Sequence, residues 1–286
     1  MTDTRSLLVD AAWVAERLHD PAVRLLDVRT PSEFVAGHIP GAVNVDIFAL
    51  HWWDSSPEGL DGFRRQHEQA FGEVGLTRND TVVVYSETTD MLAARALWVL
   101  KLFGHEAASL LDGGLTAWRA SGGAIETGEA TPSPTVYQSD WNPELLAGWQ
   151  EVREAIGKPG SVLLDTRSVE EYTGERVRAK HGGAIPGAVH FEFSNNIGPD
   201  GRLKSAEAIA AMYRALGVTP DQEVIAYCHG GYRAANTWLA LTVAGYPRVK
   251  NYVSSWGEWG SRDDLPIEKP GAPPEGAGER VSGGAA

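Results

Sequence analysis

The chain has 286 residues, 43% of them hydrophobic and 22% charged, and its 25 Lys and Arg residues against 38 Asp and Glu residues give a net charge of −13. This length and composition predict two globular domains, each able to bury its own core. The acidic balance argues against nucleic acid or an anionic membrane as the main partner, and we expect neither. A small anionic substrate would need a local basic pocket.

A single cysteine in 286 residues excludes a disulfide within the chain and is typical of a protein kept in a reducing compartment. The first residues, Met1 to Arg5, lack the apolar region of a signal peptide. No apolar run approaches the length needed to span a membrane. We therefore predict a cytoplasmic protein.

Short motifs recur in the same order in the two halves of the chain. The run 25–29 (LLDVR) returns as 163–167 (LLDTR), 138 residues later, and the run 39–43 (IPGAV) returns as 185–189, 146 residues later. An offset that drifts slightly while the order is preserved indicates a duplicated unit with loop insertions.

Each unit alternates short apolar strands with amphipathic helices, which predicts an α/β fold with a mostly parallel sheet and helices on both faces. In the first unit the predicted elements are, in order, helix Ala11–Leu18, strand Arg24–Val28, helix Arg64–Val74, strand Thr81–Tyr85, helix Leu92–Phe103 and strand Ala108–Leu111. In the second unit they are helix Glu144–Ile156, strand Val162–Asp165, helix Ala206–Leu216, strand Glu223–Tyr227, helix Ala234–Val243 and strand Val249–Tyr252.

Composition places the domain boundaries. We predict a first domain at 5–121 and a linker at 122–137, where Gly, Thr, Pro and Ser accumulate. A second domain follows at 138–267. The segment 268–286 is rich in Pro, Gly and Ala and lacks periodic apolar residues, so we predict a flexible tail there.

The cysteine lies where an apolar strand gives way to a short loop and an apolar helix. The residues after Cys228 are His229, Gly230, Gly231, Tyr232 and Arg233. Backbone N–H groups and the dipole at a helix N-terminus lower the pKa of a thiol, and the thiolate is its reactive form. The two glycines allow the backbone to curl tightly around the sulfur. We predict that Cys228 is a nucleophile and that the five residues after it bind the substrate, although a lone cysteine elsewhere is usually a small buried hydrophobe.

The repeat places Ser86 at the position of Cys228. The loop after it, Glu87 to Asp90, has no glycine and carries two acids, which would repel an anion and raise the pKa of a nucleophile. A serine nucleophile also needs a base, and none is nearby in sequence. We predict a catalytically inactive first unit that can still supply one wall of a site between the domains.

Eight extra residues separate Tyr172 from Ile185 in the second unit, because the offset rises from 138 to 146. The inserted segment carries Arg176, Arg178 and Lys180. Since the insertion occurs only in the unit with the thiol, we predict that these three residues bind an anion near Cys228. The alternative is a solvated surface loop with scattered charge.

An Asp-x-Arg motif is common to both units: Asp27 and Arg29 recur as Asp165 and Arg167. Its presence in the unit that lacks the thiol argues against direct catalysis. We therefore predict a structural role for the motif, such as an ion pair that anchors a loop.

Three stretches of the chain resemble the tandem-domain form of the rhodanese family of sulfurtransferases. Residues 34–45 (FVAGHIPGAVNV) are similar to the family's first-domain signature, and residues 252–259 (YVSSWGEW) to its C-terminal signature, with Ser254 where a glycine is usual. Cys228 followed by a short loop that ends in Arg233 is similar to the catalytic loop. The resemblance implies two rhodanese-like domains, of which the second is catalytic.

The resemblance also implies a reaction. Cys228 would take a sulfane sulfur from a small anionic donor such as thiosulfate, form a persulfide and pass the sulfur to a thiophilic acceptor, cyanide or a thiol, with no cofactor and no metal. His229 and Arg233 favour thiosulfate as the donor, and 3-mercaptopyruvate is the alternative. One departure from the family pattern is Glu171, which stands where a substrate-binding arginine is common. Arg176, Arg178 or Lys180 would then take the place of that arginine.

Two other classes of protein have comparable features. A phosphatase also holds its substrate in a loop between a cysteine and an arginine, but its arginine is six positions after the cysteine, whereas Arg233 is five after Cys228. A non-catalytic sulfur- or redox-binding module would fit a loop filled with acids, such as the one after Ser86. The loop after Cys228 is not of that kind.

Overall fold

A computed structural model describes residues 7–271, which form two domains built on five-stranded parallel sheets. The elements of the first domain are β1 (Leu8–Val9), α1 (Ala11–Glu16), β2 (Val23–Asp27), α2 (Pro31–Ala36), β3 (Val43–Asn44), α3 (Pro57–Glu73), β4 (Thr81–Tyr85), α4 (Met91–Leu102), β5 (Ala108–Leu111) and α5 (Gly114–Ala120). A 3-10 helix spans Ile47–Leu50.

The second domain repeats this order. Its elements are β6 (Leu146–Ala147), α6 (Trp149–Ala155), β7 (Ser161–Asp165), α7 (Val169–Thr173), β8 (Val189–His190), α8 (Ala206–Ala215), β9 (Glu223–Tyr227), α9 (Tyr232–Val243), β10 (Val249–Tyr252) and α10 (Ser255–Trp259). Two 3-10 helices span Pro143–Leu145 and Phe193–Asn196.

The two sheets have equivalent strand orders, β1-β5-β4-β2-β3 and β6-β10-β9-β7-β8, and every paired strand is parallel. The duplication and the α/β fold class are therefore confirmed. In such a sheet the carboxyl ends of the strands lie at one edge, which is where ligands bind in open α/β sheets. Cys228 directly follows β9, the central strand of its sheet.

Alternate residues of the central strands enter different cores, as the two-residue period of a strand requires. Leu26 and Leu164 point into one continuous core that both domains share. Leu25 and Leu163 point to the outer face of each sheet, where each domain has a separate core. Helices therefore cover both faces, and α4 packs against α9 where the domains meet.

Two predicted boundaries need correction, and four short strands were not predicted. The single helix expected over Glu144–Ile156 is wrong at its start, because residues Leu146–Ala147 pair with β10 as an edge strand and the helix begins at Trp149. The helix expected from Arg64 begins at Pro57, since Ser56 caps it and proline suits the first turn. Four edge strands of two residues each were too short to show a period of their own.

The start of the predicted flexible tail is bound to the second domain. Glu268 exchanges backbone hydrogen bonds with Ala184, and its side chain accepts the N–H of Gly187. The equivalent bridge in the first domain joins His38 to Glu126. Residues 272–286 of the predicted tail lie outside the described residues.

The Asp-x-Arg motif forms the same structure in both domains, as predicted. Arg29 binds Asp27, with an Nη2–Oδ2 distance of 2.6 Å, and Arg167 binds Asp165 at 2.6 Å. Each arginine also donates to a backbone carbonyl of the segment that precedes the Ile-Pro-Gly motif. The pairs are buried and anchor loops.

None of the helices within residues 7–271 is long and apolar enough to cross a membrane.

Candidate active site

Cys228 is buried at the N-terminus of α9, where the loop backbone turns toward its sulfur. The N–H of Gly231 donates to Cys228 Sγ at 3.1 Å. Gly231 has a φ of +81°, and a Cβ at this position would lie 2.4 Å from the carbonyl oxygen of Val253. Only glycine fits this turn, which explains one of the two glycines in the predicted loop.

The environment lowers the pKa of the Cys228 thiol. Burial raises that pKa, but the charge of Arg233 and the backbone N–H groups of Gly230, Arg233 and Ala234 outweigh it. No side chain caps α9, so these N–H groups remain available to the sulfur. The predicted strand–loop–helix arrangement around Cys228 is therefore present. That Cys228 is the nucleophile stays a prediction.

The start of α10 holds the loop from the other side. Ser255 Oγ accepts the N–H of Cys228 at 3.0 Å and donates to the carbonyl of Tyr252 at 2.6 Å. The N–H groups of Trp256 and Gly257 donate to the carbonyls of Cys228 and His229. Residues 255–257 of the C-terminal signature thus bind the N–H of Cys228 and the carbonyls of Cys228 and His229. The N–H of Gly231 is directed to the sulfur instead. Ser255 has a φ of +51°, which is unusual for a residue other than glycine.

Arg233 is held by Glu171, the residue that departs from the family pattern. Its Nη1 and Nη2 lie 2.5 and 3.0 Å from the two carboxylate oxygens, and Glu171 is only 2% exposed. Burial raises the pKa of Glu171, but Arg233 overrides it and holds that pKa at about 2. Glu171 is therefore a carboxylate at neutral pH, and it neutralises much of the loop arginine's charge.

The structure separates the three basic residues of the insertion. Arg178 lines the cleft beside the loop, contacts Glu171 at 3.4 Å and has a side chain 44% exposed. Lys180 pairs instead with Asp263 at 2.5 Å, and Arg176 is exposed, so neither lines this cleft.

Both domains line the cleft beside the loop. The first domain supplies one wall of it, as the sequence allowed. The cleft has a volume of about 520 Å³ and is lined by Trp53, Arg178, His229, Gly257, Glu258, Ser261 and Arg262. Trp53 comes from the first domain and its ring lies 5.3 Å from that of His229. The first domain also ties the loop down directly, because Tyr232, which is buried, donates its hydroxyl to the carbonyl of Ile47 at 2.8 Å.

Both histidines near the loop are neutral at physiological pH. Burial, followed by the charge of Arg178, lowers the pKa of His229 to about 4, and burial and Arg95 lower that of His51 to about 4. The positive charge expected from His229 is therefore absent at neutral pH, so it gives no charge-based support for an anionic donor. His51 lies against the loop, since a Cβ on Gly230 would meet its Nε2 at 2.3 Å.

Sequence reasoning did not identify His51, Trp53 and Ser255 as residues around the loop. It also did not identify Arg95, whose Nη1 would lie 2.8 Å from a Cβ on Gly231. Ser255 could have been identified, because it belongs to the C-terminal signature at residues 252–259. The aromatic run 51–53 in a segment rich in Ser, Asp and Pro was a second signal, since such residues are not expected outside a core. Arg95 had none, because its role depends on how the two domains pack.

Comparisons with known proteins agree with this geometry. The model of the rhodanese-like domain matches the chain twice, at residues 10–121 and 149–262. A thiosulfate sulfurtransferase from Azotobacter vinelandii is 35% identical over 262 residues, which cover 92% of this chain and 97% of that protein. A 3-mercaptopyruvate sulfurtransferase from Escherichia coli strain K12 is 32% identical over 273 residues, covering 91% of this chain and 97% of the relative.

A solved structure gives the same result for the fold. The crystal structure of SseA from Escherichia coli, described as a 3-mercaptopyruvate sulfotransferase, superposes with a TM-score of 0.75 at 30% identity. The match covers 88% of this chain and 99% of that one. The chain belongs to the rhodanese family and is an enzyme of the rhodanese sulfurtransferase type.

Proposed function

We propose that Cys228 takes the outer sulfur of thiosulfate, carries it as a persulfide and transfers it to cyanide or a thiol. The observation that supports this proposal best is the lowered pKa of a buried thiol at the uncapped N-terminus of α9. The first domain has no comparable thiol, because its equivalent residue is Ser86.

The proposed reaction has two displacements. The Cys228 thiolate attacks the outer sulfur of thiosulfate, the bond between the two sulfur atoms of the donor breaks, and sulfite leaves with the bonding electrons. Cyanide or an acceptor thiolate then attacks the outer sulfur of the persulfide, which regenerates the Cys228 thiolate. Loop N–H groups such as that of Gly231 stabilise the anionic sulfur in both states.

Arg178 is the residue that we propose to attract the donor. Its guanidinium lines the cleft and is only partly engaged by Glu171, at 3.4 Å, whereas Arg233 is bound at both nitrogens. The loop residues His229 to Arg233 supply the remaining contacts, mostly through the backbone. Substrate contacts of Arg176 and Lys180 remain predictions of the sequence.

A second donor, 3-mercaptopyruvate, is supported by one specific observation. Glu171 neutralises Arg233 inside the loop, so the site holds less positive charge for a dianion than the loop sequence suggests. A monocarboxylate donor needs a single cation beside the loop, and Arg178 provides it. The similarity to a 3-mercaptopyruvate sulfurtransferase points in the same direction.

Steady-state kinetics with each donor and cyanide as acceptor would decide between them. We expect a higher kcat/KM with thiosulfate and formation of thiocyanate. A higher kcat/KM with 3-mercaptopyruvate would overturn the choice of donor but keep the persulfide. No transfer from either donor would favour a binding module, and hydrolysis of an aryl phosphate would favour a phosphatase.

Substitutions in the insertion would test the role of Arg178. We expect Arg178→Gln to raise the KM for thiosulfate roughly five- to tenfold, because one charge-assisted contact is lost. The matched control is Arg214→Gln, which removes an exposed arginine on α8, away from the cleft. An unchanged KM in Arg178→Gln, Arg176→Gln and Lys180→Gln would contradict the proposed anion contact.

A further inference from the structure

A buried arginine of the first domain lies beneath the catalytic loop without a hydrogen-bond partner. Arg95, on α4, is 0% exposed, and none of its three guanidinium nitrogens has a partner within residues 7–271. Arginine keeps its charge in proteins, and an unpaired buried charge is costly. Such a group needs an explanation.

The surroundings of Arg95 are aromatic and neutral. The guanidinium carbon lies 5.3 Å from the ring centre of Phe63, 4.9 Å from that of Trp98 and 5.0 Å from that of Tyr232. Two histidines near it, His51 and His67, have pKa values of about 4 and about 3, so neither carries charge at neutral pH. The rings offset part of the desolvation through cation–π attraction, but none of them is an anion.

The guanidinium touches the loop at the residue that binds the sulfur. A Cβ on Gly231 would lie 2.8 Å from Arg95 Nη1, and the N–H of the same Gly231 donates to Cys228 Sγ at 3.1 Å. Burial lowers the pKa of Arg95, while Tyr232 and Cys228 act in the opposite direction. The Cys228 thiolate is therefore an anion that can interact favourably with the charge of Arg95.

The duplicated position in the second domain is neutral. Gly104 and Gly245 are 141 residues apart, and the same offset relates Arg95 to Asn236 on α9. Asn236 reaches across the interface to the loop after Ser86, where it donates to the carbonyl of Thr89 at 3.0 Å. At this duplicated position each domain thus sends a polar side chain toward the other domain's loop, and only the one at the loop with the thiol, Arg95, is charged.

We propose that Arg95 is a positioning residue, whose buried charge, supplied by the domain without a nucleophile, stabilises the anionic sulfur of Cys228 through the loop at Gly231. The stabilisation of the persulfide rests on the proposed function, whereas that of the thiolate does not. Other charged or titratable groups near this sulfur, its loop or Arg95 are His229, Tyr232, Arg233, Glu171, Arg178, Asp165, Arg167, His51 and His67.

The test measures the rate of Cys228 alkylation by iodoacetamide as a function of pH, which needs no sulfur transfer. We expect Arg95→Met and Arg95→Gln to raise the midpoint by roughly one pH unit, because a nearby positive charge favours the thiolate. Arg95→Lys keeps the charge, so its midpoint should lie close to that of the unsubstituted protein. Asn236→Leu is the matched control, since it disturbs the same helix pair without a change in charge, and should leave the midpoint unchanged.

Two results would overturn the proposal: folded Arg95→Met and Arg95→Gln proteins with the wild-type midpoint, or an equal shift in Asn236→Leu. A second measurement covers variants that fail to fold. In protein labelled with ¹⁵N-arginine, the side-chain resonance of Arg95, assigned by its loss in Arg95→Lys, should titrate with the midpoint of alkylation and stop titrating in Cys228→Ser. A resonance that does not move in the unsubstituted protein would contradict the proposal. Failure of thiosulfate to load the protein would instead contradict the proposed function.

Discussion

The two loops of the duplicated fold differ in what occupies the helix N-terminus. In the first domain the Asp90 carboxylate accepts the N–H groups of Leu92 and Ala93 at 2.8 and 3.1 Å and the hydroxyl of Ser86 at 2.7 Å. In the second domain no side chain caps α9, and the N–H of Gly231 faces the thiol. The same helix end is thus filled by a capping carboxylate in one domain and left to the Cys228 sulfur in the other.

The contacts behind the loops are otherwise alike. Leu115 donates its N–H to Ser86 in the first domain as Trp256 does to Cys228 in the second. The residues before them are Gly114 and Ser255, both with positive φ, 56° and 51°. The architecture behind the loop is therefore common to both domains. We expect the difference in reactivity to come from the thiol, the N–H groups that face it and the charges nearby.

Removing the charge of the second loop should have the largest effect. Arg233→Gln should raise the pKa of the Cys228 thiol and leave the buried Glu171 with only its longer ion pair to Arg178, so the free energy of unfolding should fall by roughly 3 kcal/mol. Chemical denaturation and the pH profile of alkylation would measure the two effects. In the double variant Glu171→Gln, Arg233→Gln, stability should recover while the thiol pKa stays raised. If the double variant recovered both the stability and the thiol pKa, or neither of them, these roles of Arg233 would be contradicted.

The Glu171–Arg233 pair also gives a pH dependence of stability. The pKa of Glu171 is about 2 in the folded chain against an ordinary value of 4.5, so its contribution is complete above pH 4.5 and is lost as the pH falls toward 2. The contribution is roughly 3 kcal/mol. The free energy of unfolding, measured by chemical denaturation, should therefore decrease less from pH 6 to pH 3 in the Glu171→Gln, Arg233→Gln double variant than in the unsubstituted chain.

A smaller effect on activity is expected when Ser255, behind the second loop, is replaced by glycine, the residue at the equivalent position of the first domain. Ser255→Gly removes the hydroxyl that binds Cys228 but suits the positive φ, whereas Ser255→Ala keeps the strain. We expect both to slow persulfide formation about tenfold, since the N–H of Cys228 loses its acceptor. Ser255→Ala should be less stable than Ser255→Gly by about 1 kcal/mol. Stopped-flow mixing with thiosulfate and thermal unfolding would measure these changes, and equal stabilities would contradict a strained Ser255.

The smallest effect is expected for a thiol in the first loop. Ser86→Cys should leave turnover within about twofold of the unsubstituted enzyme, because Asp90 occupies the N–H groups that would stabilise a thiolate. In the background of Cys228→Ser, the same change should give no sulfur transfer. Activity in that double variant would show that the first loop is competent and that only the nucleophile is missing.

The sequence predicted the parts that local patterns encode. The central strands, the duplication and the placement of Cys228 between β9 and α9 followed from apolar runs and spacing. Helix α2 was missed, although Thr30 and Glu33 form a capping box that announces it. The edge strands exist only through pairing with neighbours, which short segments do not reveal.

The remainder of the site depends on how the two domains meet. Trp53, His51 and Arg95 reach the loop around Cys228 from more than 130 residues away in sequence, and no local pattern marks that contact. The capture of Arg233 by Glu171 was likewise not visible, although the acid itself was noted as a departure. Long-range packing supplied these groups.

Intact mass spectrometry would show whether Cys228 carries the transferred sulfur. The chain and its Cys228→Ala variant are measured before and after thiosulfate, and again after cyanide. We expect a gain of one sulfur atom in the unsubstituted chain and none in the variant. Cyanide should remove the added sulfur and form thiocyanate. A gain in the Cys228→Ala variant, or none in either protein with thiosulfate or 3-mercaptopyruvate, would contradict the proposed role of Cys228.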